Sequence, residues 1–319
     1  MSDARQAIVV RSTGSWYQIK DDQGVMYDAR IRGKFRLNGK TLTNPVAVGD
    51  LVHFEIENEV ENSALIKDIL PRENYVVRQS PRKKHQLHLL ASNIDQAMLV
   101  ITIREPNLKQ GVIDRFLLMT EPHDIPACIV FNKKDLYTEE DIKLYDFLSE
   151  IYTEIGYSTY LISSLVEGDA KKISETLESK TTLISGQSGV GKSTLINAIY
   201  PDLDLRTSEL SESSGKGQHT TTFATMYEPT ADARIIDTPG FKGLSFNNLE
   251  PMDVAHNFRE FFKYSENCKF NNCLHREEPG CAIVAAMEQD QISELRYANY
   301  LQILEEIEDQ NYWERHSDL

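Results

Sequence analysis

The sequence predicts a multidomain α/β protein. An N-terminal β-barrel of the OB type comes first, followed by a phosphate-loop domain with a mainly parallel sheet and flanking helices, and then a C-terminal helical domain that binds zinc. Three observations carry this prediction. Five strand-like runs fall within residues 1–75, separated by turn signals. From Asn93 onward strands and helices alternate, the pattern of parallel strands joined by helical crossovers. Three of the four cysteines and one histidine crowd into the fourteen residues Cys268–Cys281. A chain of 319 residues has room for two or three such domains.

The barrel strands are read at Ala7–Arg11, Ser15–Lys20, Val25–Arg32, Leu51–Glu57 and Ala64–Ile69, with turns at Thr13-Gly14, Asp21–Gly24, Asn38-Gly39 and Gly49-Asp50. An OB barrel fits this pattern, and an SH3-like barrel fits the strand count almost as well. Arg30, Arg32, Lys34 and Arg36 alternate, so on a regular strand they share one face, although Gly33 allows a bulge there. Such a face is either a solvated exterior or a surface for RNA. Charge decides only which end of the chain a polyanion meets first. Residues 1–85 hold 14 Lys/Arg against 11 Asp/Glu, net +3, while the rest of the chain is net −18. A total of −15 excludes indiscriminate nucleic-acid binding by the whole surface and points a polyanion to the N-terminal part. Residues 76–92, with Arg78, Pro81, Arg82, Lys83, Lys84 and His85, read as a basic interdomain linker. No apolar run approaches the ~18–20 residues of a membrane span, and Met1–Arg5 lacks a signal-peptide core, so no membrane partner and a cytoplasmic location are expected.

Residues 93–250 form the phosphate-loop domain. Its expected strands are Gln96–Ile103, Ala127–Phe131, Thr159–Ile162, Thr181–Ser185, Thr222–Tyr227 and Ala233–Ile236, with helices such as Gly111–Thr120 and Glu139–Ile151 between them. The run Gly186-Gln187-Ser188-Gly189-Val190-Gly191-Lys192-Ser193, continued by Thr194, is G-x-x-x-x-G-K-S between a strand and a helix. The glycines let successive N–H groups converge on phosphate, Lys192 reaches the β- and γ-phosphates, and the Ser193 hydroxyl suits Mg²⁺. Asn132-Lys133-Lys134-Asp135 follows the strand ending at Phe131. An Asp there accepts bonds from N1–H and the 2-amino group of guanine, donors that adenine lacks. Ser163-Ser164, after the next strand, sits where a loop touching guanine O6 belongs, and Ser pairs also cap helices.

Downstream come Gly215–Thr222 and then Asp237-Thr238-Pro239-Gly240. Asp237 suits Mg²⁺, directly or through water, and the Gly240 N–H suits the γ-phosphate. A switch threonine completes the Mg²⁺ shell; spacing does not choose among Thr220, Thr221 and Thr222, and Thr221 stands for the three. Phe241 occupies the place where a water-orienting Gln is expected and cannot hydrogen-bond a water. His219 is the nearest substitute, or else an exposed loop histidine. The usual GTPase order is phosphate loop, switch Thr, D-x-x-G, N-K-x-D, Ser loop. Here N-K-K-D and the Ser pair come first, which is a circular permutation. The segment after Asp237 therefore runs directly into residues 251–319. These open with an expected helix over Pro251–Tyr264, then supply Cys268, Cys273, His275 and Cys281. The Cys₃His set suits one tetrahedral structural Zn²⁺, whereas disulfides would leave one of the three cysteines odd. Ile292–Trp313 reads as a packing helix.

Together these residues resemble the circularly permuted, ribosome-associated GTPases of small-subunit biogenesis, the RsgA or YjeQ family. The resemblance extends through Gly33–Arg36, Val48–Asp50, Asn132–Asp135, Gly186–Thr194, Gly217–Thr222, Asp237–Phe241, Cys268–Cys281 and Arg296-Tyr297. Ser164 departs from the Ser-Ala that is usual there. The resemblance implies an OB-fold, a permuted GTPase domain and a zinc domain. It also implies a GTP hydrolase that acts late in maturation of the small ribosomal subunit, contacts its rRNA and is stimulated by it. A monomer is expected.

Overall fold

The computed structural model describes residues 5–13, 16–31, 44–79, 87–205, 224–238 and 249–316. β1 (Arg5–Ser12), β2 (Tyr17–Asp21), β3 (Met26–Ile31), β4 (Leu51–Asn58) and β5 (Ser63–Ile69) lie where the turn signals place them. They pair in the order β1-β2-β3-β5-β4, and β4 returns to β1 to close a barrel. The β3–β5 pairing is parallel, which a meander of hairpins does not produce. That closure is the Greek-key barrel of the OB type. Alternation drives it: Val9, Tyr17, Ile19, Ala29, Val52, Phe54 and Ile66 all turn inward and are buried.

The expected linker is partly structured. β6 (Tyr75–Gln79) and β7 (Leu87–Ser92) form an antiparallel pair, with Val76, Leu89, Leu90 and Ala91 buried. The basic run Pro81–His85 lies outside the described residues. Its apolar flanks, Tyr75-Val76-Val77 and Leu87–Leu90, bury enough surface to form strands where overall composition suggests a loop.

β8 (Gln96–Ile101), α1 (Val112–Thr120), β9 (Ala127–Phe131), α2 (Glu139–Glu154), β10 (Ser158–Leu161), α3 (Glu167–Leu177), β11 (Thr181–Ser185), α4 (Lys192–Ile199), β12 (Thr225–Tyr227) and β13 (Arg234–Asp237) build the second sheet. Its parallel part runs β10-β9-β8-β11-β13, and β12 adds an antiparallel edge. Each central strand is covered on both faces. On β8, Met98 and Val100 face a core with Ile173, Ile184 and Leu195, while Leu99 and Ile101 face Phe116, Leu117 and Phe131. β12 also meets β1 at Arg11 and Thr225, so barrel and sheet are continuous.

Residues Pro251–Tyr264 form two helices, α5 (Pro251–His256) and α6 (Arg259–Ser265), where the sequence predicts one. Phe258 between them is extended (φ −93°, ψ 106°) and buried, with its ring centroid 5.1 Å from that of Phe261. Burying that aromatic outweighs continuing the helix. α7 (Ala282–Glu288) and α8 (Glu294–His316) follow. Phe258, Phe261, Tyr300, Ile303 and Leu304 share one core with Phe116 and Leu117 of α1, so the C-terminal helices pack on the sheet rather than hang from it. Among the described residues, no helix is long and apolar enough to cross a membrane.

Candidate functional site

The parallel strands all end on one edge of the sheet, and their loops carry the motif residues there. Gly186 leaves β11 at φ 153°, where a Cβ would stand 2.1 Å from the Val100 carbonyl oxygen. Gly191 precedes α4 at φ 91°, where a Cβ would stand 2.5 Å from Asn132 Nδ2. Glycine alone fits both places. Lys192 donates from Nζ to the carbonyls of Gly186 (2.8 Å) and Gln187 (3.2 Å), curling back over its own loop. Burial pushes its ammonium below the usual lysine range, opposed by the charge of Asp237. Ile184 pairs with Asp237 across the β11–β13 ladder, which sets this buried acid one strand from the origin of the phosphate loop.

Asn132 is fully buried and braces three loops. Its Nδ2 donates to the Val190 carbonyl (2.9 Å) and to Ser164 Oγ (3.3 Å), and its Oδ1 accepts from the Ser164 amide (2.9 Å). The Oδ1 bond is made by the Ser164 backbone and would survive with the usual alanine, whereas the Oγ contact is added by this serine. Asp135 is exposed at the mouth of the site and accepts from Ser163 Oγ at 2.5 Å, while the Ser163 amide donates to Asp169 Oδ2 (3.0 Å). Lys133, at φ 62°, donates from Nζ to the Glu105 carbonyl (2.5 Å). The loop after β9 thus meets the phosphate loop, the Ser pair and the loop after β8.

Sequence reasoning missed several supports. Tyr137 OH donates to the Asn132 carbonyl and accepts from the Ile103 amide, both at 2.8 Å. Burial pushes this hydroxyl up to about 12, so it stays protonated and keeps donating at physiological pH. No local pattern announces Tyr137, Asp169 or the Glu105 carbonyl. Thr138–Asp141 is different: T-x-x-D is a capping-box signature that could have been read, and both reciprocal bonds form.

His219, the threonines Thr220, Thr221 and Thr222, Gly240 and Phe241 lie outside the described residues, as do Arg32, Lys34 and Arg36. Arg30 is described. It stands on β3, exposed, and donates in a fork to both carboxylate oxygens of Glu57 (3.0 and 2.9 Å).

The second candidate site is the Cys₃His cluster. The ligand atoms of Cys268, Cys273, His275 and Cys281 all lie within 4.8 Å of one another. His275 Nδ1 is 3.7 Å from Cys268 Sγ and 3.6 Å from Cys281 Sγ. A tetrahedral zinc ion with ordinary Zn–S and Zn–N bonds sets such atoms about 3.6 Å apart, so the donor set fits in both chemistry and spacing. The supporting bonds come from α8 and from Glu278. Tyr297 OH donates to the His275 carbonyl (2.8 Å) and Tyr300 OH to that of Leu274 (2.7 Å), while Glu278 accepts from the amides of Leu274 and Arg276.

Comparison with known proteins agrees with this geometry. The family model of the RsgA GTPase matches residues 69–247, and that of the RsgA N-terminal domain matches residues 6–64. The chain is 49% identical over 298 residues to the small ribosomal subunit biogenesis GTPase RsgA of Flavobacterium johnsoniae, covering 93% of this chain and 92% of that protein. It is 46% identical over 307 residues to the protein of the same name from Bacteroides fragilis, covering 96% and 98%. Among solved structures, YjeQ from Thermotoga maritima superposes with a TM-score of 0.74 at 32% identity, covering 95% of this chain and 98% of that one. YloQ, a circularly permuted GTPase, superposes with a TM-score of 0.71 at 30% identity, covering 97% and 96%.

Proposed function

This chain belongs to the RsgA GTPase family, and from that premise we infer that it hydrolyses GTP in the biogenesis of the small ribosomal subunit. One observation carries the reading: the phosphate loop, the N-K-K-D turn, the Ser pair and Asp237 converge on one edge of a single sheet, although the chain visits them in permuted order.

Asp135 reads guanine, and Ser163 Oγ holds its carboxylate in place for that task. Asn132, Lys133 and Lys134 shape the turn, and the Ser163-Ser164 loop closes over the base. The amides of Gly186, Gln187, Ser188, Gly189, Val190, Gly191 and Thr194 face the phosphates, with Lys192 released from its own loop carbonyls to bind them. Ser193, Thr221 and Asp237 would hold Mg²⁺, since hydroxyl and carboxylate oxygens suit a hard cation. When bound, Mg²⁺ offsets charge on the transferred phosphoryl group. The Gly240 amide senses the γ-phosphate. His219 orients the attacking water, because Phe241 supplies no donor or acceptor. One Zn²⁺, held by Cys268, Cys273, His275 and Cys281, is structural, since four protein ligands leave no open position.

The working parts are a barrel over residues 1–75, a basic segment over 76–92, the permuted GTPase over 93–250 and the zinc module over 251–319. Arg30, Arg32, Lys34 and Arg36 on the barrel meet ribosomal RNA, and the protein works as a cytoplasmic monomer. A competition titration tests the nucleotide reading: GTP and GDP should bind, and a hundredfold excess of ATP should displace neither. Displacement by ATP would remove the guanine assignment.

A further inference from the structure

A physical connection joins the nucleotide site to the Cys₃His module without passing through the chain between β13 and α5. It is made by residues 102–114, the loop after β8 and the first turn of α1. At its near end, Lys133 Nζ donates to the Glu105 carbonyl, and the Ile103 amide donates to Tyr137 OH. Arg104 Nε pairs with Asp141 Oδ2 at 2.6 Å. Pro106 Cδ lies 3.7 Å from where a Cβ on Gly189 of the phosphate loop would be. The loop is thus fastened to the N-K-K-D turn and lies against the phosphate loop.

At its far end, Gln110 Nε2 donates to Asn299 Oδ1 (3.2 Å), and Asn299 Nδ2 donates to Asp114 Oδ2 (2.5 Å). Arg296 donates to Asp114 Oδ1 (2.5 Å) and in a fork to Glu260 (2.7 and 2.8 Å). Tyr152 OH adds a bond to Asp114 (2.7 Å). Asp114, Arg296 and Asn299 are each 2% exposed or less, and their polar groups are satisfied by one another and by Gln110, Tyr152 and Glu260. Apolar packing would stabilise the contact as well; a buried, fully bonded network also fixes one relative orientation of α1, α6 and α8. The same stretch of α8 supplies Tyr297 and Tyr300, which hold the carbonyls of the zinc loop. Between the two ends the loop is less protected: Glu105, Asn107, Lys109 and Gln110 are exposed. It is the element whose order a ligand can bias.

We propose that residues 102–114 couple guanine-nucleotide occupancy to the Cys₃His module, so that nucleotide seated on Lys133 and the phosphate loop tightens the Asp114–Arg296–Asn299 joint. The proposal rests on the nucleotide-binding reading above. Coupling is reciprocal, so loosening the joint must also lower nucleotide affinity, although none of its side chains belongs to the motifs that hold nucleotide.

The test is hydrogen exchange on the full-length protein with and without saturating GDP. GDP should slow exchange in the wild type at residues 132–135 and 186–194, and also at 268–281 and 294–304. In Gln110→Ala/Asn299→Ala the first two segments should remain protected, the last two should lose most of the GDP effect, and GDP should bind several-fold more weakly. The single variant Gln110→Ala, exposed and safe for folding, should show the same change in part. GDP protection confined to the nucleotide loops of the wild type, or kept in full at 268–304 in the double variant, would overturn the coupling and leave the nucleotide reading intact. If GDP protects no segment, the nucleotide reading falls and this inference with it.

Discussion

At the scale of single residues, the site is a set of short-range obligations. Asp135 accepts from Ser163 Oγ, and the proposed reading gives it two hydrogen bonds from guanine. Asp135→Asn should weaken GTP binding and improve binding of xanthosine triphosphate, whose 2-oxo group wants a donor. Unchanged GTP affinity in a titration of that variant would remove the base-reading role. Gly191→Ala should be as telling at the phosphate end. Its Cβ would meet Asn132 Nδ2 at 2.5 Å, at a φ of 91° that alanine resists. Strain of this kind costs about 1–3 kcal/mol, so nucleotide affinity should fall on the order of tenfold, read in the same titration. Residues of this sort were legible in the sequence because a side chain or a glycine at fixed spacing carries the chemistry. The Glu105 carbonyl was not, since a backbone oxygen has no identity in the sequence. Tyr137 was not legible either, because one of its two bonds comes from the Ile103 amide, 34 residues away in sequence, and the other goes to a backbone carbonyl.

At the scale of elements, the periodic segments were legible and the joints between them were not. β9 and β11 match their expected bounds, because an apolar run between turn signals has few alternatives. The break at Phe258 was hidden: Phe258, Phe261 and Phe262 keep helical spacing, and what ends α5 is an aromatic pocket formed with α8. The strands within the expected linker were hidden by the basic run between them. Arg296 gives the element scale its sharpest prediction. Arg296→Ala leaves Asp114 and Glu260 buried without their cation, which should cost about 3–5 kcal/mol in urea unfolding. Arg296→Met should cost less, by keeping the volume over Phe258, whose ring centroid lies 4.4 Å from the guanidinium carbon. Equal losses would show that the lost cation alone, and not the packing over Phe258, sets the cost. For the zinc loop, Cys273→Ser or a strong chelator should loosen residues 251–319 while the nucleotide loops stay folded, with GDP binding weakened several-fold through the coupled joint. Metal analysis that finds no zinc in protein purified without chelator would remove the assignment.

At the scale of the whole molecule, permutation and charge act together. The GTPase sheet is flanked by a nearly neutral barrel that leads into the basic segment and is joined to the sheet through β1 and β12, and by a helical module packed on the α1 face. On the proposed mechanism, one RNA surface touched by both flanks orders the loops that carry His219 and Thr221, and until then Phe241, with no hydrogen-bonding group, leaves the attacking water unplaced. His219→Ala should lower stimulated turnover with little change in GTP affinity, the mark of an interaction made in the transition state; parallel losses in both would assign His219 to loop structure. The most direct measurement is phosphate release from GTP with and without purified small ribosomal subunits, across a salt series. Turnover alone should be on the order of 10⁻³ per second or below, as for an unassisted GTPase. Subunits should accelerate it strongly at low salt, and the acceleration should fall steeply as salt rises, because the proposed contact of Arg30, Arg32, Lys34 and Arg36 with RNA is ionic in a chain of net charge −15. If small subunits leave turnover unchanged at low salt, the ribosomal assignment is wrong.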